Sequence, residues 1–551
     1  MRKRSILLVA GAAALVASLV IGPAATAKSE SPAAGTVIIG HDQEPDILNP
    51  FLTAGNAYTT ALAVNPVLSN GSIYNQKAQL VPYLMDGPAK LVKSNPLTVT
   101  FKYKGTAKWS DGKPVTGGDF VTLYRTVMNP NWDITSREGW QDLASVKAKG
   151  KSVTMVFKKG RSYFAWDVLA ASSPIPTHKV VGQDFNKLWS DSIDIASGPF
   201  KFQSWQKGTQ LTLVKNAAYA SGPKAKLDRV VIRYIPSTAT MFQALSSGEI
   251  DSTEPQPQLQ IAQVQKDSRF RVQSGPGYFW EHMDIQFGPK GHPALKKKFV
   301  RHALITGINR SQIRQALYVT PGLVKSAKEL PVLQSHLFKP FEAEYTPAWG
   351  RWKFSQKNAI ALLKKNGCTG GPNTPSAGNN AIWECPGVGK LSFRFTTTTG
   401  NQLRALTFEI AQKQLRSIGI ELVPRFGPAA QVFGQVLPSG DWDIFMFTWL
   451  GGPTSGGTSF SLYGCGGDQN YMNYCNKKSS TPLQKAQFTP DRKARTALLV
   501  QAEKVLADDV MSVPMYVRPG FLINNKKVSG PILNPTQQGS TWNVETWSVA
   551  R

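Results

Sequence analysis

An α/β fold is what this sequence predicts, and three observations predict it. Short β-branched runs alternate apolar and polar residues, long stretches carry helical spacing, and the two kinds follow one another along most of the chain. Thr36-Val37-Ile38-Ile39-Gly40 opens the series as a strand that ends at a turn. Leu97 to Tyr103 and Ser152 to Phe157 each have one apolar and one polar face, the pattern of antiparallel strands in a half-exposed sheet. A helix is expected from Asp119 to Met128, with Asp119 as its N-cap, and another from Thr240 to Leu245 before the turn Ser247 to Asp251. Farther on, Phe299 to Tyr318 and Gln402 to Ile418 read as long amphipathic helices, the second stopped by Gly419 before the strand Ile420 to Val423. Asp491 to Leu506 reads as a helix and Val513 to Val517 as a strand. No internal repeat is visible, and the one low-complexity patch is the Gly/Asn/Ser/Pro loop from Gly370 to Asn380.

With 551 residues, 41% of them hydrophobic and 18% charged, the chain is a folded protein too long for one ordinary core. Two or three domains, or one domain with large lobes, are expected. Arg2, Lys3 and Arg4 precede an apolar run from Ile6 to Ile21, and Ala25-Thr26-Ala27 supplies small residues for cleavage. That is the pattern of a secretory signal over 1–27, an uncleaved anchor being the competing reading. A flexible leader, 28–35, follows. The first cysteine is Cys368, so none stands at the cleavage point to carry a lipid. Export to the cell envelope or its exterior is therefore expected.

Formal charge is +28, or +25 once the three cations of the signal are removed. Nucleic acid is one partner such a field suggests, yet the lysines are scattered and Lys296-Lys297-Lys298 stands without interleaved aromatics. A basic surface suited to an anionic cell envelope is the expected alternative, and no nucleic-acid partner is expected. The six histidines are dispersed with no HExxH pair, and no serine sits in a GxSxG elbow, so the residues point to a binder and not to an enzyme. Gly452 and Gly457, followed by Thr458, nearly spell a P-loop, but the lysine that reaches the phosphates is missing. No cofactor or metal is expected. Four cysteines in an exported chain suggest two disulfides; the sequence-local pairing joins Cys368 to Cys385 and Cys465 to Cys475, although three connectivities are open.

Ala107-Lys108-Trp109-Ser110-Asp111-Gly112-Lys113-Pro114-Val115-Thr116-Gly117-Gly118-Asp119-Phe120 resembles the signature of the family 5 extracellular solute-binding proteins, the peptide- and nickel-binding subunits of ABC importers. The resemblance continues in family order. Ser197 to Phe202 with Trp205, Gly208 and Leu211 to Asn216 comes next, then Leu245 to Asp251, then Arg301 to Leu304 with Ile308-Asn309-Arg310. Phe408-Glu409 with Ile418 to Ile420, and Asp441 to Ile444 leading to Trp449, complete it.

What the resemblance implies is a periplasmic-binding-protein type II-like fold: two lobes with a hinge and an extra inserted subdomain. Lobe one would comprise 36–75, 190–283 and 516–551, the insert 76–189, and lobe two 284–515. A monomer is expected, closing on a solute and engaging ABC permease subunits in the membrane. Trp449 stands at the position of a family tryptophan on the cleft wall, with Gly451, Gly452, Thr454 and Ser455 in the loop beyond it. Trp280, Glu281 and His282 stand where the chain would cross between lobes, and Glu44 and Asp46 follow the first strand, where the family has a loop near the ligand. Peptide binders of the family hold the ligand's ammonium with an aspartate shortly after that tryptophan, yet Leu450 to Cys465 contains no acidic residue. An oligopeptide remains the expected ligand, its amine held elsewhere. An oligosaccharide stacked on some of the 14 Trp and 15 Tyr residues is the alternative, as is a secreted receptor not coupled to transport.

Overall fold

Fourteen strands carry the architecture in the computed structural model, which describes residues 35–376, 380–453 and 459–550. The expected signal segment and the loop positions Thr454 and Ser455 lie outside the described residues. In chain order the strands are β1 (Thr36–His41), β2 (Lys90–Ser94), β3 (Leu97–Lys102), β4 (Leu143–Lys149), β5 (Ser152–Phe157), β6 (Phe200–Gln206) and β7 (Gln210–Lys215). They continue as β8 (Arg229–Tyr234), β9 (Ser252–Thr253), β10 (Phe270–Ile285), β11 (Ser392–Thr398), β12 (Glu421–Gly427), β13 (Ile444–Leu450) and β14 (Ser512–Asn525). Ten form one mixed sheet in the order β12-β11-β13-β10-β14-β9-β1-β8-β7-β6, and four form a separate antiparallel sheet in the order β2-β3-β5-β4. The α/β class and the type II architecture expected from the sequence are what the chain adopts.

The large sheet is held together in its middle by β10 and β14. They pair antiparallel from Phe270 opposite Asn525 to Asp284 opposite Ser512, with irregular register between Pro276 and Trp280. At that break Pro276 faces Pro519 and Gly275 faces Gly520. A proline brings no N–H to a ladder, so two facing prolines interrupt the pairing that continues on either side. On one side of the break β10 pairs β13, while on the other β14 pairs β9 and, through it, β1. Two separate groups of buried apolar side chains go with this arrangement. One gathers Val37, Trp109, Phe120 and Trp547, and the other Trp349, Phe393, Trp442 and Tyr463.

Helices begin where polar side chains meet free amides. Asn401 caps Gln402–Arg416, Asp491 caps Arg492–Asp509, and Ser237 caps Thr238–Ser247, which ends at Gly248 with φ +81°. Asp119 was expected to cap its helix; Thr116 does so instead, for Gly117–Met128, and Asp119 completes a capping box from the third helical position. The single helix expected over Phe299 to Tyr318 is broken. Lys298–Gly307 ends in extended backbone at Ile308, and Asn309 caps a new helix, Arg310–Arg314, through Gln312 N. Both disulfides have the sequence-local pairing, Cys368 with Cys385 and Cys465 with Cys475. No helix among the described residues is long and apolar enough to cross a membrane.

The signature segment around Trp109 is a clasp. Ser110 exchanges two hydrogen bonds with Ala196, and Gly112 turns the chain at φ +88°. Buried Asp119 accepts from Trp109 Nε1 (3.2 Å), Thr116 N (2.9 Å), Thr177 N (2.9 Å) and Thr177 Oγ1 (2.9 Å). Next to the clasp, a Cβ on Gly198 would stand 2.2 Å from Pro66 O, so only glycine fits. Replacing Asp119 by Ala leaves these buried donors without their acceptor. The expected loss is about 3 kcal/mol of unfolding free energy in a urea titration, and a loss within about 0.5 kcal/mol would show that water replaces the carboxylate.

Candidate functional site

β13 ends at a cleft, and its alternation decides what the cleft wall is made of. Thr448 points to the side of Glu281 and Arg404, while Phe447 and Trp449 point to the side of His282. About 990 Å³ of empty space, its open mouth included, lies between that wall and residues of β1 and its following loop. Trp449, Tyr471 and Tyr58 supply rings; Asp42, Glu254, Arg404 and Arg518 supply charge. Trp449 and Tyr471 lie nearly parallel, their centroids 6.4 Å apart.

Arg404 enters from the first turn of its helix and engages all three of its nitrogens. It donates to Glu281 Oε1 and Oε2 at 3.0 and 3.3 Å and to Thr398 and Thr448 at 3.0 Å each. Burial alone would raise the Glu281 carboxyl; the Arg404 charge and hydrogen bonds, with Arg518 and Thr448 behind them, hold it below the ordinary carboxylate value. Arg518 is in a different position. Its guanidinium lies 5.3 Å over the Phe279 ring, and its Nε is buried without a hydrogen-bond partner among the described residues. Opposite charge is close at hand: Glu254 accepts from Tyr58 Oη and from Ser540 N at 3.0 Å. Burial keeps the Glu254 carboxyl above its ordinary value, against the pull of those hydrogen bonds and of Arg518.

Asp42 completes the polar set. One of its oxygens accepts from Gln256 Nε2 at 2.7 Å, and Gln256 in turn accepts from Asn401 Nδ2 at 2.5 Å. Through Asn401, which caps the Arg404 helix, the end of β1 is tied across the cleft to the opposite wall. Among the described residues no group of three or more His, Cys, Asp or Glu is placed to hold a metal ion.

Of the residues picked from the sequence, Trp449 lines this cleft. Glu281 lies directly behind it, occupied by Arg404 and Thr448. His282 is fully buried, its ring stacked 6.2 Å from that of Trp449 and its Nε2 3.3 Å from Asp284. Trp280 is buried under Lys339, whose Nζ is 3.6 Å from the ring centroid. Glu44 accepts from Trp205 Nε1 (2.7 Å) and Gly208 N (2.8 Å). Asp46 is exposed, with Oδ2 3.1 Å from where a Cβ on Gly434 would stand. Gly451 N donates to Tyr278 O at 2.9 Å, and a Cβ on Gly452 would stand 3.5 Å from the Tyr74 ring. Asp42, Glu254, Arg404 and Arg518 were not picked. One signal was available for Arg518, a lone cation inside the apolar run Val513 to Ile523.

A second contact joins the segment after Met128 to the far side of the cleft. Ser136 Oγ and Arg137 N donate to Asp468 Oδ2 at 3.0 and 2.8 Å, and Glu138 Oε1 accepts from Gln487 Nε2 at 2.6 Å. Burial, with Asp468 adding its charge, raises Glu138 from 4.5 to about 8.

A mixed sheet crossed by two long strands, with a ligand-sized cleft between distant parts of the chain, defines a solute-binding protein of the type II periplasmic-binding class. The family model for bacterial extracellular solute-binding proteins, family 5 (middle region), matches residues 79–471, and the chain belongs to that family of ABC-importer binding proteins. The oligopeptide-binding protein AppA of Bacillus subtilis is 23% identical over 524 residues, covering 94% of this chain and 92% of AppA. The structure of AppA with a nonapeptide superposes with a TM-score of 0.82 at 20% identity, covering 94% of this chain and 99% of that one. A periplasmic EDTA-binding protein, EppA, superposes with a TM-score of 0.81 at 21% identity, covering 94% and 97%.

Because the folded form holds the Glu138 proton up to about pH 8 and the unfolded form releases it near 4.5, the native state binds the extra proton in between. Stability contributed by neutral Glu138 is fully present below the unfolded value and is lost as pH rises through the folded one. Glu138→Gln, which keeps the acceptor for Gln487, should flatten the fall in melting temperature from about pH 5 to about pH 9. An unchanged slope would show that Glu138 is ionised in the folded protein.

Proposed function

We propose that this protein captures an oligopeptide between two lobes and delivers it to the permease of an ABC importer. Lobe one would be formed by 36–75, 190–283 and 516–551 with the insert 76–189, and lobe two by 284–515. The register break at Pro276 and Pro519 lies in lobe one a few residues from both crossings, and it supports a turn of the lobes near there. Export by the N-terminal segment, action as a monomer and engagement of permease subunits belong to the same reading.

One observation carries the ligand class: the cleft is lined by Arg518, whose buried Nε has no hydrogen-bond partner among the described residues, and by the acids Asp42 and Glu254. A peptide is a zwitterion, and a largely buried one needs an anion for its ammonium and a cation for its carboxylate. Asp42 takes the role left open by the acid-free loop after Trp449, and Arg518 takes the carboxylate. The nonapeptide bound by AppA supports a peptide, and the EDTA bound by EppA supports a cation in the cleft. A second reading, an oligosaccharide, is favoured by the near-parallel rings of Trp449 and Tyr471, which suit a sugar face.

The two separate in one experiment. Peptides of two to nine residues should raise the melting temperature of the wild type, and Arg518→Met should weaken their binding by about tenfold or more, the worth of a charged hydrogen bond. Cello- or xylo-oligosaccharides that bind equally well to wild type and variant, with peptides silent, would replace the first reading by the second.

A further inference from the structure

Residues 132–138, in the insert, run as a strap from one wall of the cleft to the other. At its start the strap lies beside the loop after β1. Thr53 N donates to Asp133 O and Thr135 N to Phe51 O at 3.0 Å each, and Thr53 Oγ1 donates to Asp133 Oδ1 at 3.1 Å. Thr53 itself lines the cleft. At its far end Ser136 Oγ and Arg137 N hold Asp468, which stands in the loop that the Cys465–Cys475 disulfide closes. The same loop carries Tyr471, the ring that lies 13° from parallel to Trp449.

Three sets of bonds fix that loop. Gln286 Nε2 donates to Tyr471 O at 3.0 Å and Phe287 N to Met472 O at 2.8 Å, which ties it to the end of β10. Asn470 Nδ2 donates to Gly464 O and Tyr474 O at 2.7 and 2.6 Å, drawing its two ends together. The strap supplies the third set. Burial, and after it the charges of Asp133 and Asp468, push the Tyr471 hydroxyl up to about 12, so the neutral phenol stands in the field of both acids of this contact.

Strap and loop belong to different buried groups. Ile134 in the strap and Trp140 after it are buried with Trp109 and Phe120, whereas Tyr463, Met472 and Leu483 are buried with Trp349 and Trp442. Other bonds follow the same line: Phe164 N donates to Gln487 O at 2.9 Å, and the Arg495 guanidinium lies 4.3 Å over the Phe164 ring. The ties to β10 set Tyr471 within its own core. The tie at Asp468 sets it relative to the opposite wall, and a ring ordered before the ligand arrives costs less to use.

We propose that the insert's strap positions the second ring of the cleft wall: through Asp468 it sets Tyr471, and Tyr471 contacts the solute. Asp468 is then a positioning residue, and Tyr471 a residue of specificity for solutes that lay a flat or apolar group on the wall of Trp449 and Tyr471. The proposal rests on the reading that the solute occupies this cleft, and it gives the insert a part in recognition.

Hydrogen exchange on the whole protein without ligand tests the hold. Asp468 is exposed, so its replacement spares both cores. Asp468→Ala should speed exchange of the Phe287 amide, which bonds beside Tyr471 and not to Asp468, by about fivefold or more. Asp468→Asn, which keeps an acceptor oxygen, should restore it. An unchanged Phe287 rate in Asp468→Ala would end the proposal, whatever the cleft binds.

Calorimetry then tests what the hold does, with whichever series raises the wild type's melting temperature, peptides of two to nine residues or xylo-oligosaccharides. Tyr471→Ala should weaken binding about tenfold and Tyr471→Phe little; Asp468→Ala should weaken it about fivefold, two charge-assisted hydrogen bonds discounted for exposure. In the Tyr471→Ala background Asp468→Ala should add nothing, because it acts through that ring. Additive losses would overturn the positioning role. Binding of neither series would instead remove the solute reading, leaving the exchange result to decide whether the strap holds the loop.

Discussion

Everything in this molecule that lies on one side of the cleft is joined to the other side chiefly through one antiparallel pair, β10 with β14. The large sheet could not be a single sheet without it, because β13, β11 and β12 attach only through β10, while β9 and β1 attach only through β14. Buried arginines bind helices to the same pair. Arg310 donates to Pro514 O at 2.7 Å and to Leu333 O at 3.1 Å, and Arg301 donates to Asp509 O just before β14 begins. A guanidinium that spends its donors on carbonyls closes strand and helix ends that would otherwise be left unpaired. The proline pair at the centre then has a clear consequence: the ladder is interrupted there and its register shifts, from Pro276 opposite Pro519 to Trp280 opposite Val517.

The fold was legible because the recognisable segments are structural. Trp109, Ser110, Gly112 and Asp119 form a clasp, Gly198 admits Pro66, and Asp443 accepts from His292 N and Arg394 N at 2.8 Å each. Each is fixed by a local requirement that a short stretch of sequence displays. The broken helix after Phe299 was not legible, since its periodicity runs on through Ile308. What stops it is tertiary: Gly307 packs so near Ile418 that a Cβ there would stand 2.5 Å from Ile418 Cδ1, and Asn309 offers its side chain to Gln312. Local pattern proposes a helix, and packing against the neighbouring helix end redirects it.

Much less of the cleft could be read. Its charged groups come from the end of β1, from the residues after β9, from one helix start and from the middle of β14. No window of sequence contains two of these parts, so no motif could bring Asp42, Glu254, Arg404 and Arg518 together. Trp280, Glu281 and His282 were picked together because they stand where the chain would cross between lobes, and all three lie one layer too deep, buried behind or beside the cleft wall. In a strand, residues beside a cleft-lining position share its neighbourhood but alternate between faces, so proximity in sequence selects the support as readily as the surface.

That support explains how the wall can be firm while its ligand chemistry varies. Glu281, Arg404 and Thr448 form a closed buried set on one face of β13. On the other, His282 backs Trp449, and beyond it lie His336, Lys339 and Glu503. Burial there pushes Lys339 down to about 8 and Glu503 up to about 7, against three hydrogen bonds to Glu503 from Ser335 and the amides of His336 and Leu337. Groups held that tightly give Trp449 and Thr448 little freedom to move. Glu281, His282, His336, Lys339 and Glu503 stand behind the ligand space, while Arg404 and Thr448 line it with their polar atoms already engaged. Asp42 and Arg518 line it too, and neither belongs to the sets that position the wall. A change of preferred solute therefore needs only the cleft-facing members outside those sets to change, and the wall itself can stay as it is.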